Sequence, residues 1–486
     1  MIQRLLALLL VFTATSSVAV HAQGGSEPSS LQRALDTITS EKIEQDIRFI
    51  ASDDMAGRDT PSPGLRIAAR FIRNRLQRLG WSPGAEDGFF YDYELTRYGT
   101  TELGVFARWT DADGGEHELS FAEDYYLSPT SRKTRNQSGP IVQVGEFTDE
   151  ELQAAGLEMS DLEGMWCLTR PGIRISRRRL QAAEASGIAG FLVPPDPQAE
   201  NSVAERHARS AAWLTRASFR PSSGSGAPVV YLTEALADQM GLEEGLEVGV
   251  KVPGEFHESY SYGPLEVLEL ENVCAFWPGS DPELKKEVIL ISAHYDHVGT
   301  SEEGIFNGAD DNGSGTTGLL QIADALAAYG PMRRSVMLLW VSGEEKGLLG
   351  SEAWTKDPWL PEGTRAICNL NIDMIGRNAP EEIGITPTRE REEYNRLTEI
   401  VEQQMNAEGF TVLNSADAYW SRSDHANFSR HMGLPVAFLF SDVHEDYHKP
   451  TDTADRIDYD KIRRVTRLVV RMLHELQVDD LELSVD

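Results

Sequence analysis

Residues 285–294 read KKEVILISAH, a stretch that is charged where it begins, apolar through its middle and polar where it ends. Residues 333–345, RRSVMLLWVSGEE, repeat this pattern. Short apolar runs of this kind are typical of parallel strands that are buried on both faces of a sheet. Between them, residues 316–331 (TTGLLQIADALAAYGP) place apolar side chains at helical spacing and end at Gly330 and Pro331. Together the three stretches predict a strand, helix, strand unit.

Further stretches extend this unit into a larger α/β fold. RAICNLNIDMIG and LPVAFLF are predicted strands, whereas LRIAARFIRNRLQRL and YDKIRRVTRLVVRMLHEL are predicted amphipathic helices. Gly80 follows the first of these helices, at a position suited to a left-handed cap. We therefore predict an α/β fold with a mixed, mainly parallel central sheet that is sandwiched by helices.

The character of the chain changes in its middle third. Short strand-like runs, such as LGVFARW, PIVQV and APVVYL, surround one helix-like stretch, RRLQAAEASG. We interpret residues 106–261 as an inserted, strand-rich domain. The α/β domain around it is then formed by residues 31–105 and 262–486.

The first residues indicate export. A positive charge at Arg4, the apolar run LLALLLVF and a series of small residues have the pattern of a secretory signal peptide that is cut after Ala22. The apolar run is shorter than the roughly 20 residues that a membrane-spanning helix needs. We expect residues 1–22 to be removed, residues 23–30 to form a flexible leader, and the protein to be secreted or periplasmic without stable membrane insertion.

Composition restricts both the partners and the metal ligands. A formal net charge of −32 argues against nucleic acid or an anionic membrane surface as a partner, because both would be repelled. Cys167, Cys274 and Cys368 are widely spaced and odd in number, so they support neither a disulfide framework nor a thiolate zinc site. Any bound metal must therefore be held by His, Asp and Glu.

Polar side chains stand at the end of each predicted strand and in two loops, NGADDNGSG and HEDYHKPTDT. They are His294, Asp296, His297, Asp310, Asp311, Glu344, Glu345, Asp373, His444, Tyr447 and His448. Ligands of open parallel sheets gather outside the carboxyl ends of the strands, and crowded carboxylates repel one another unless cations compensate them. The pattern predicts two divalent ions, and a ligand set of imidazoles and carboxylates suits zinc, with manganese or cobalt as alternatives.

Two adjacent glutamates, Glu344 and Glu345, end the second strand. Adjacent residues at a strand exit point in different directions. One glutamate can therefore bind metal while the other remains free to accept a proton from metal-bound water and pass it to the leaving group.

The chain resembles the co-catalytic di-zinc aminopeptidase family, secreted exopeptidases whose relatives include glutamate carboxypeptidase and the transferrin receptor. The motifs that carry the resemblance are PGSDPELKKEVILISAHYDHVG, NGADDNGSGTTGLL, VSGEEKGLLGS, NLNIDMIGR, SRSDHANF and HEDYHKPTDT, in family order. The stretch RFIASDDMAGRDTPSPG is similar to the family's amino-terminal lead-in. Within the insert, RRLQAAEASGIAGFLV resembles a protease-associated (PA) domain.

This resemblance implies a set of metal ligands. His294 and Asp373 correspond to ligands of one zinc ion, Glu345 and His448 to ligands of the second, and Asp311 to the residue that bridges them. The family often has a cis peptide bond after the bridging aspartate, so we expect one there too.

The resemblance also implies catalytic roles. Glu344 corresponds to the general base, Asp296 to the residue that orients His294, and Tyr447 to a hydrogen-bond donor for the oxyanion. Arg422 matches an arginine that contacts substrate in some members.

Several polar residues have no counterpart with a known role. We expect them to be loop histidines with at most indirect roles or solvated carboxylates. They are His297, His425, His431, His444, Glu303 and Asp310.

These implications predict a secreted two-zinc aminopeptidase that acts on peptides with a free amino terminus, and they indicate no particular oligomeric state. Carboxypeptidase or glutaminyl-cyclase-like activity on the same scaffold is an alternative, although a glutaminyl cyclase needs one zinc ion only. A receptor-like binding protein should have lost ligands, and this chain has lost none. A two-metal phosphoesterase would need arginines that grip phosphate, for which Arg377 and Arg422 are available.

Overall fold

A computed structural model gives the fold of most of the chain. It describes residues 29–100, 104–128, 133–196, 217–221, 225–242 and 245–485. The predicted signal peptide and most of the predicted leader lie outside the described residues, and the first described helix begins at Ser30. Among the described helices, none combines the length and the apolar character that crossing a bilayer requires.

The helices are numbered here in chain order over the described residues. They are α1 (Ser30–Thr37), α2 (Ser40–Ile50), α3 (Pro63–Leu79), α4 (Asp149–Ala154), α5 (Arg177–Ala185), α6 (Glu234–Gln239), α7 (Gly313–Tyr329), α8 (Leu349–Lys356), α9 (Arg396–Gln404), α10 (His425–Met432) and α11 (Tyr459–Glu475).

The strands are numbered in the same way. They are β1 (Ser82–Pro83), β2 (Phe90–Gly99), β3 (Val105–Thr110), β4 (Glu116–Leu119), β5 (Tyr125–Leu127), β6 (Arg135–Gly145), β7 (Trp166–Thr169), β8 (Gly190–Val193), β9 (Val229–Leu232), β10 (Lys251–Tyr260), β11 (Gly263–Trp277), β12 (Glu287–His294), β13 (Thr300–Ser301), β14 (Gly304–Ile305), β15 (Ser335–Val341), β16 (Arg365–Asp373), β17 (Glu382–Thr386), β18 (Val412–Ser415) and β19 (Val436–Phe440).

The larger sheet is mixed, as the sequence predicts. Its strand order is β1-β11-β15-β12-β16-β19-β17-β18, with β2 also paired to β11. The four central strands, β15, β12, β16 and β19, are parallel, whereas β11 and β17 pair antiparallel to them on either side. The carboxyl ends of the four central strands therefore lie along one edge of the sheet.

Helices cover both faces of this sheet, which explains the unbroken apolar runs of its central strands. The apolar face of α7 packs on the sheet through Leu319, Ile322 and Leu326, all fully buried. Each such side chain contributes about 1.5–3 kcal/mol on burial. On α3, the Ser62 hydroxyl caps the first turn by accepting from the Leu65 N–H. Gly80 ends the helix at φ 82°, in the left-handed conformation that the sequence predicts.

A second sheet contains the strands between residues 105 and 260. Its order is β4-β3-β10-β6-β7-β8-β9-β5, and β6 to β9 run parallel to one another. This sheet has apolar cores of its own, one of them around Trp166 and Phe256. The long antiparallel pair of β2 and β11 joins it to the larger domain. The assignment of this unit to the PA family stays a prediction.

Candidate metal centre

The five side chains implied as metal ligands lie together at the carboxyl edge of the central strands. His294 and Asp373 are the last residues of β12 and β16. Glu345 follows β15, and Asp311 stands in the loop before α7. His448 reaches the same edge from the loop after β19 and has φ 51°. The parallel topology therefore brings side chains from across about 150 residues of sequence to one place.

The donor atoms form two groups that share Asp311. In the first group, Nε2 of His294 lies 3.2 Å from Asp373 Oδ1 and 3.4 Å from Asp311 Oδ1. In the second, Nε2 of His448 lies 3.1 Å from Asp311 Oδ2 and 3.1 Å from Glu345 Oε2. The two carboxylate oxygens of Asp311 thus face different groups, which is the arrangement of a carboxylate that bridges two ions.

The chemistry of these donors fits a pair of divalent cations. Although His448 Nε2 lies close to two carboxylates, it makes no hydrogen bond within the described residues. Burial opposes protonation of His294, yet Asp373 and Glu344 raise its pKa well above the usual range. Burial and the neighbouring Glu345 also raise the pKa of Asp311. The negative potential at this edge is therefore strong, and cations would neutralise it.

Glu344 lies beside the two donor groups but belongs to neither. One carboxylate oxygen of Glu344 is 4.0 Å from His294 Nε2. Burial, opposed in part by His294 and reinforced by Glu345, raises the pKa of Glu344 well above its usual value. A free carboxylate of raised pKa at this distance can accept and release a proton.

Asp296 contacts His294 through its backbone carbonyl more closely than through its carboxylate. Its carbonyl oxygen lies 3.2 Å from Nδ1 of His294, while its carboxylate is 3.6 Å away. The carboxylate instead accepts hydrogen bonds from the Glu344 N–H (3.2 Å) and the Thr60 hydroxyl (3.0 Å). Asp296 therefore orients the imidazole through its backbone and holds the turn of Glu344 through its side chain.

A small cavity opens beside the donor groups, and both residues implied to contact substrate line it. Tyr447 stacks on the ring of His448, with 3.9 Å between the centroids, and Arg422 is exposed at the edge of the cavity. Apolar side chains, among them Phe438 and Phe440, line much of the remaining wall, together with Tyr419 and Ser423.

His297 is a residue of the site that the sequence reasoning missed. It is fully buried, and its Nδ1 lies 2.9 Å from Glu345 Oε1 and 3.8 Å from Asp311 Oδ2. It belongs to the second donor group, so the expectation of a loop histidine with an indirect role does not describe its position. The sequence signal for it was its position in AHYDH, three residues after His294.

Arg58, in the amino-terminal lead-in, ties together the loops of the site. It is fully buried and donates to the carbonyl oxygens of Ile50, Tyr295, Asn307 and Gly308, at 2.7 to 3.1 Å. Burial lowers the pKa of its guanidinium to about 10. These bonds fix the backbone beside two of the donor-bearing loops.

Asp310 and Asp452 support the loop that carries Asp311. The expectation that Asp310 is a solvated carboxylate is wrong, because it is fully buried and accepts a 2.7 Å hydrogen bond from the Gly376 N–H. The Asp452 carboxylate accepts from the N–H groups of both Asp310 and Asp311 at 3.1 Å. The Asp311–Asn312 peptide bond is cis, as predicted.

Comparison with known proteins agrees with this geometry. Residues 272–473 match peptidase family M28. Over 205 residues, the chain is 28% identical to a probable leucine aminopeptidase of Arthroderma benhamiae, a match that covers 40% of this chain and 56% of that protein. The chain thus spans about half the length of the curated relatives it matches.

Solved structures extend the likeness to nearly the whole chain. The aminopeptidase from Aneurinibacillus sp. strain AM-1 has a TM-score of 0.55 at 20% identity, with 94% of this chain and 98% of that chain covered. BSAP, a zinc aminopeptidase from Bacillus subtilis, has a TM-score of 0.50 at 17% identity, with 92% and 98% covered. These likenesses establish the α/β fold. The match to peptidase family M28, over residues 272–473, includes all five side chains implied as metal ligands.

Proposed function

We propose that this protein is a zinc-dependent aminopeptidase that removes the first residue from peptides with a free amino terminus. The observation that carries the proposal is the pair of donor groups that share Asp311, with the unshared carboxylate of Glu344 beside them. One zinc ion would be held by His294, Asp311 and Asp373, and a second by Asp311, Glu345 and His448.

Each group at the site has a defined task in this proposal. Bound zinc supplies Lewis acidity, which polarises the peptide carbonyl and lowers the pKa of water. Glu344 accepts the proton of the attacking water and passes it to the amine as the carbon–nitrogen bond breaks. Asp296 keeps Glu344 in place through its hydrogen bond to the backbone N–H. Tyr447 donates a hydrogen bond to the oxyanion, and Arg422 contacts the substrate.

The electrostatics and shape of the site support an aminopeptidase in particular. Buried carboxylates are in excess at the donor edge, which favours a substrate whose reacting end carries a positive charge. Met374, Phe438 and Phe440 line the adjoining cavity, so we infer a preference for apolar first residues. The name of the Arthroderma relative, a probable leucine aminopeptidase, agrees with that preference.

The alternatives receive less support from the same contacts. Arg377, one of the arginines available to a phosphoesterase, is largely buried and donates to Asp446 at 2.7 Å. A glutaminyl cyclase would use a single ion, whereas both donor groups are complete in this chain.

The insert borders the proposed active site. Arg220 donates to the carbonyl oxygen of Gly347, two residues after Glu345, and to the Glu352 carboxylate at 2.7 Å. We infer that residues 106–261 form a PA-like domain beside the cleft.

We also infer that residues 1–22 direct export and are cut after Ala22, which amino-terminal sequencing of the mature protein would test.

Purified protein offers a direct test of the proposed activity. Leucyl, lysyl and glutamyl nitroanilides, together with amino-terminally blocked peptides, should be compared before and after chelation and after zinc is restored. We expect cleavage of leucyl nitroanilide in preference to the charged substrates, none of the blocked peptides, loss of activity on chelation, and recovery with zinc. Cleavage of blocked peptides from the carboxyl end would instead identify a carboxypeptidase.

A further inference from the structure

His297 contributes an imidazole to the second donor group that the family resemblance does not assign. Its side chain is completely buried among charged residues. Nδ1 faces both carboxylates of the group, at 2.9 Å from Glu345 Oε1 and 3.8 Å from Asp311 Oδ2. The ring also packs edge to face against His448, with 5.7 Å between the centroids. All four donor atoms of the group lie within 4.8 Å of one another.

The orientation of this imidazole is fixed by its surroundings. Gly308 lies so close to the ring that a Cβ at this position would be 2.5 Å from Cγ and Cδ2 of His297. Gly308 itself has φ 59°, which favours glycine. On the backbone, the His297 N–H donates to the carbonyl of Arg58 at 3.1 Å. Nδ1 is therefore held towards the donor group rather than free to rotate away.

We propose that Nδ1 of His297 is a fourth protein ligand of the second zinc ion, together with Asp311, Glu345 and His448. This inference rests on the proposed function and deepens it. Two ligands of a tetrahedral zinc ion, each about 2.0–2.1 Å from the metal, are roughly 3.3 Å from one another. This value lies between the 2.9 Å from His297 Nδ1 to Glu345 Oε1 and the 3.8 Å from the same atom to Asp311 Oδ2. The second site then has four protein ligands, whereas the first, with His294, Asp311 and Asp373, has three.

The difference in ligand number predicts different tasks for the two ions. Zinc sites with four protein ligands are typically closed and structural, whereas sites with three keep an open position for water or substrate. We therefore expect the second site to fill first and to hold its ion more tightly. The first site should exchange its ion more readily and offer the open coordination position for chemistry.

One competing arrangement would leave His297 outside the coordination sphere. Nδ1–H could donate to Glu345 Oε1 while only the other carboxylate oxygen binds zinc, as outer partners of metal ligands commonly do. Loss of an outer partner lowers metal affinity by about 10–100-fold, so a loss of affinity alone does not separate the two arrangements. The number of imidazoles bound to zinc distinguishes the two arrangements.

X-ray absorption spectroscopy of the zinc-loaded wild-type protein provides that count without any substitution. The scattering pattern of imidazole should correspond to three histidines for every two zinc ions. Two histidines for every two ions would overturn the inference and leave the proposed aminopeptidase intact. Conversely, protein with three bound imidazoles that cleaves no peptide would overturn the proposed function and leave the ligand assignment standing.

Metal titration of a variant supplies an independent readout. In His297→Gln, calorimetry should show the tighter of two zinc-binding events weakened by more than about 100-fold, beyond the effect typical of an outer partner. The weaker event should change far less. His431→Gln is the matched control, since His431 contacts Thr355 away from the donor groups. Unchanged affinities in His297→Gln would contradict the proposal, and the wild-type spectrum decides it if that variant does not fold.

Discussion

The two sheets of this protein both contain a block of parallel strands, yet among the described residues only the block in the larger sheet carries a candidate active site. In the larger sheet, the carboxyl ends of β12, β15 and β16 lead into buried carboxylates and imidazoles whose lone pairs converge. In the second sheet, β7 leads instead to the exposed Arg170, which pairs with Glu146 at 3.1 Å and Glu151 at 3.2 Å. Parallel topology is therefore not sufficient for a site.

Burial and charge balance make the difference between these edges. At the second sheet, Glu146 and Glu151 face Arg170 near solvent, so these charges compensate one another without an ion. At the larger sheet, Asp311, Glu344, Glu345 and Asp373 stand close together with imidazoles. The buried guanidinium of Arg58 donates to backbone carbonyls and not to these carboxylates. The uncompensated charge is what makes that edge a place for cations.

The largest effect on this comparison should come from Asp311→Ala. Because its two oxygens face both donor groups, the substitution should deplete both metals and reduce hydrolysis to background. Elemental analysis by mass spectrometry measures the loss against wild type. Retention of two tightly bound ions would contradict the shared role of this carboxylate.

Glu344→Gln should separate chemistry from metal binding. The amide cannot accept the proton, so we expect kcat to fall by about 10²–10⁴-fold while metal content stays near that of wild type. Steady-state kinetics and elemental analysis on the same preparation provide both numbers. Loss of metal together with activity would assign Glu344 to coordination instead.

Arg58→Met should show how much the hydrogen bonds from the buried guanidinium to the loops of the site stabilise the protein. The substitution leaves the buried carbonyl oxygens of Ile50, Tyr295 and Asn307 without their donor, whereas that of Gly308 keeps its hydrogen bond from the Gly313 N–H. Each unsatisfied group costs about 1–3 kcal/mol. We expect the free energy of unfolding to fall by at least about 3 kcal/mol, measured by urea denaturation of the chelated protein. A change below 1 kcal/mol would show that water replaces the guanidinium.

The smallest effect should come from the corresponding edge of the second sheet. Arg170→Ala removes ion pairs in which the arginine is 59% exposed, and such pairs contribute about 0–1 kcal/mol. Zinc content and hydrolysis should match those of wild type. A large loss of either would mean that the two sheets are coupled more closely than their contacts indicate.

Local sequence pattern was sufficient to predict the elements and the residue types of the site. The apolar runs that end in charged residues predicted β12, β15 and β16, and the helical spacing between them predicted α7. Since parallel strands have their carboxyl ends at one edge of the sheet, the sequence alone predicts that the donors after these strands lie close together. The motifs then assigned individual side chains by resemblance.

Tertiary structure alone decided which other residues reach the site. His297 and Asp310 looked like ordinary loop residues, because burial depends on how distant segments pack and not on local pattern. Arg58 is more than 230 residues from the carbonyls of Tyr295, Asn307 and Gly308 to which it donates. The sequence by itself therefore determined the α/β framework and the chemistry available at its edge. Only the folded chain determined which donors face one another, since these distances are set by long-range packing.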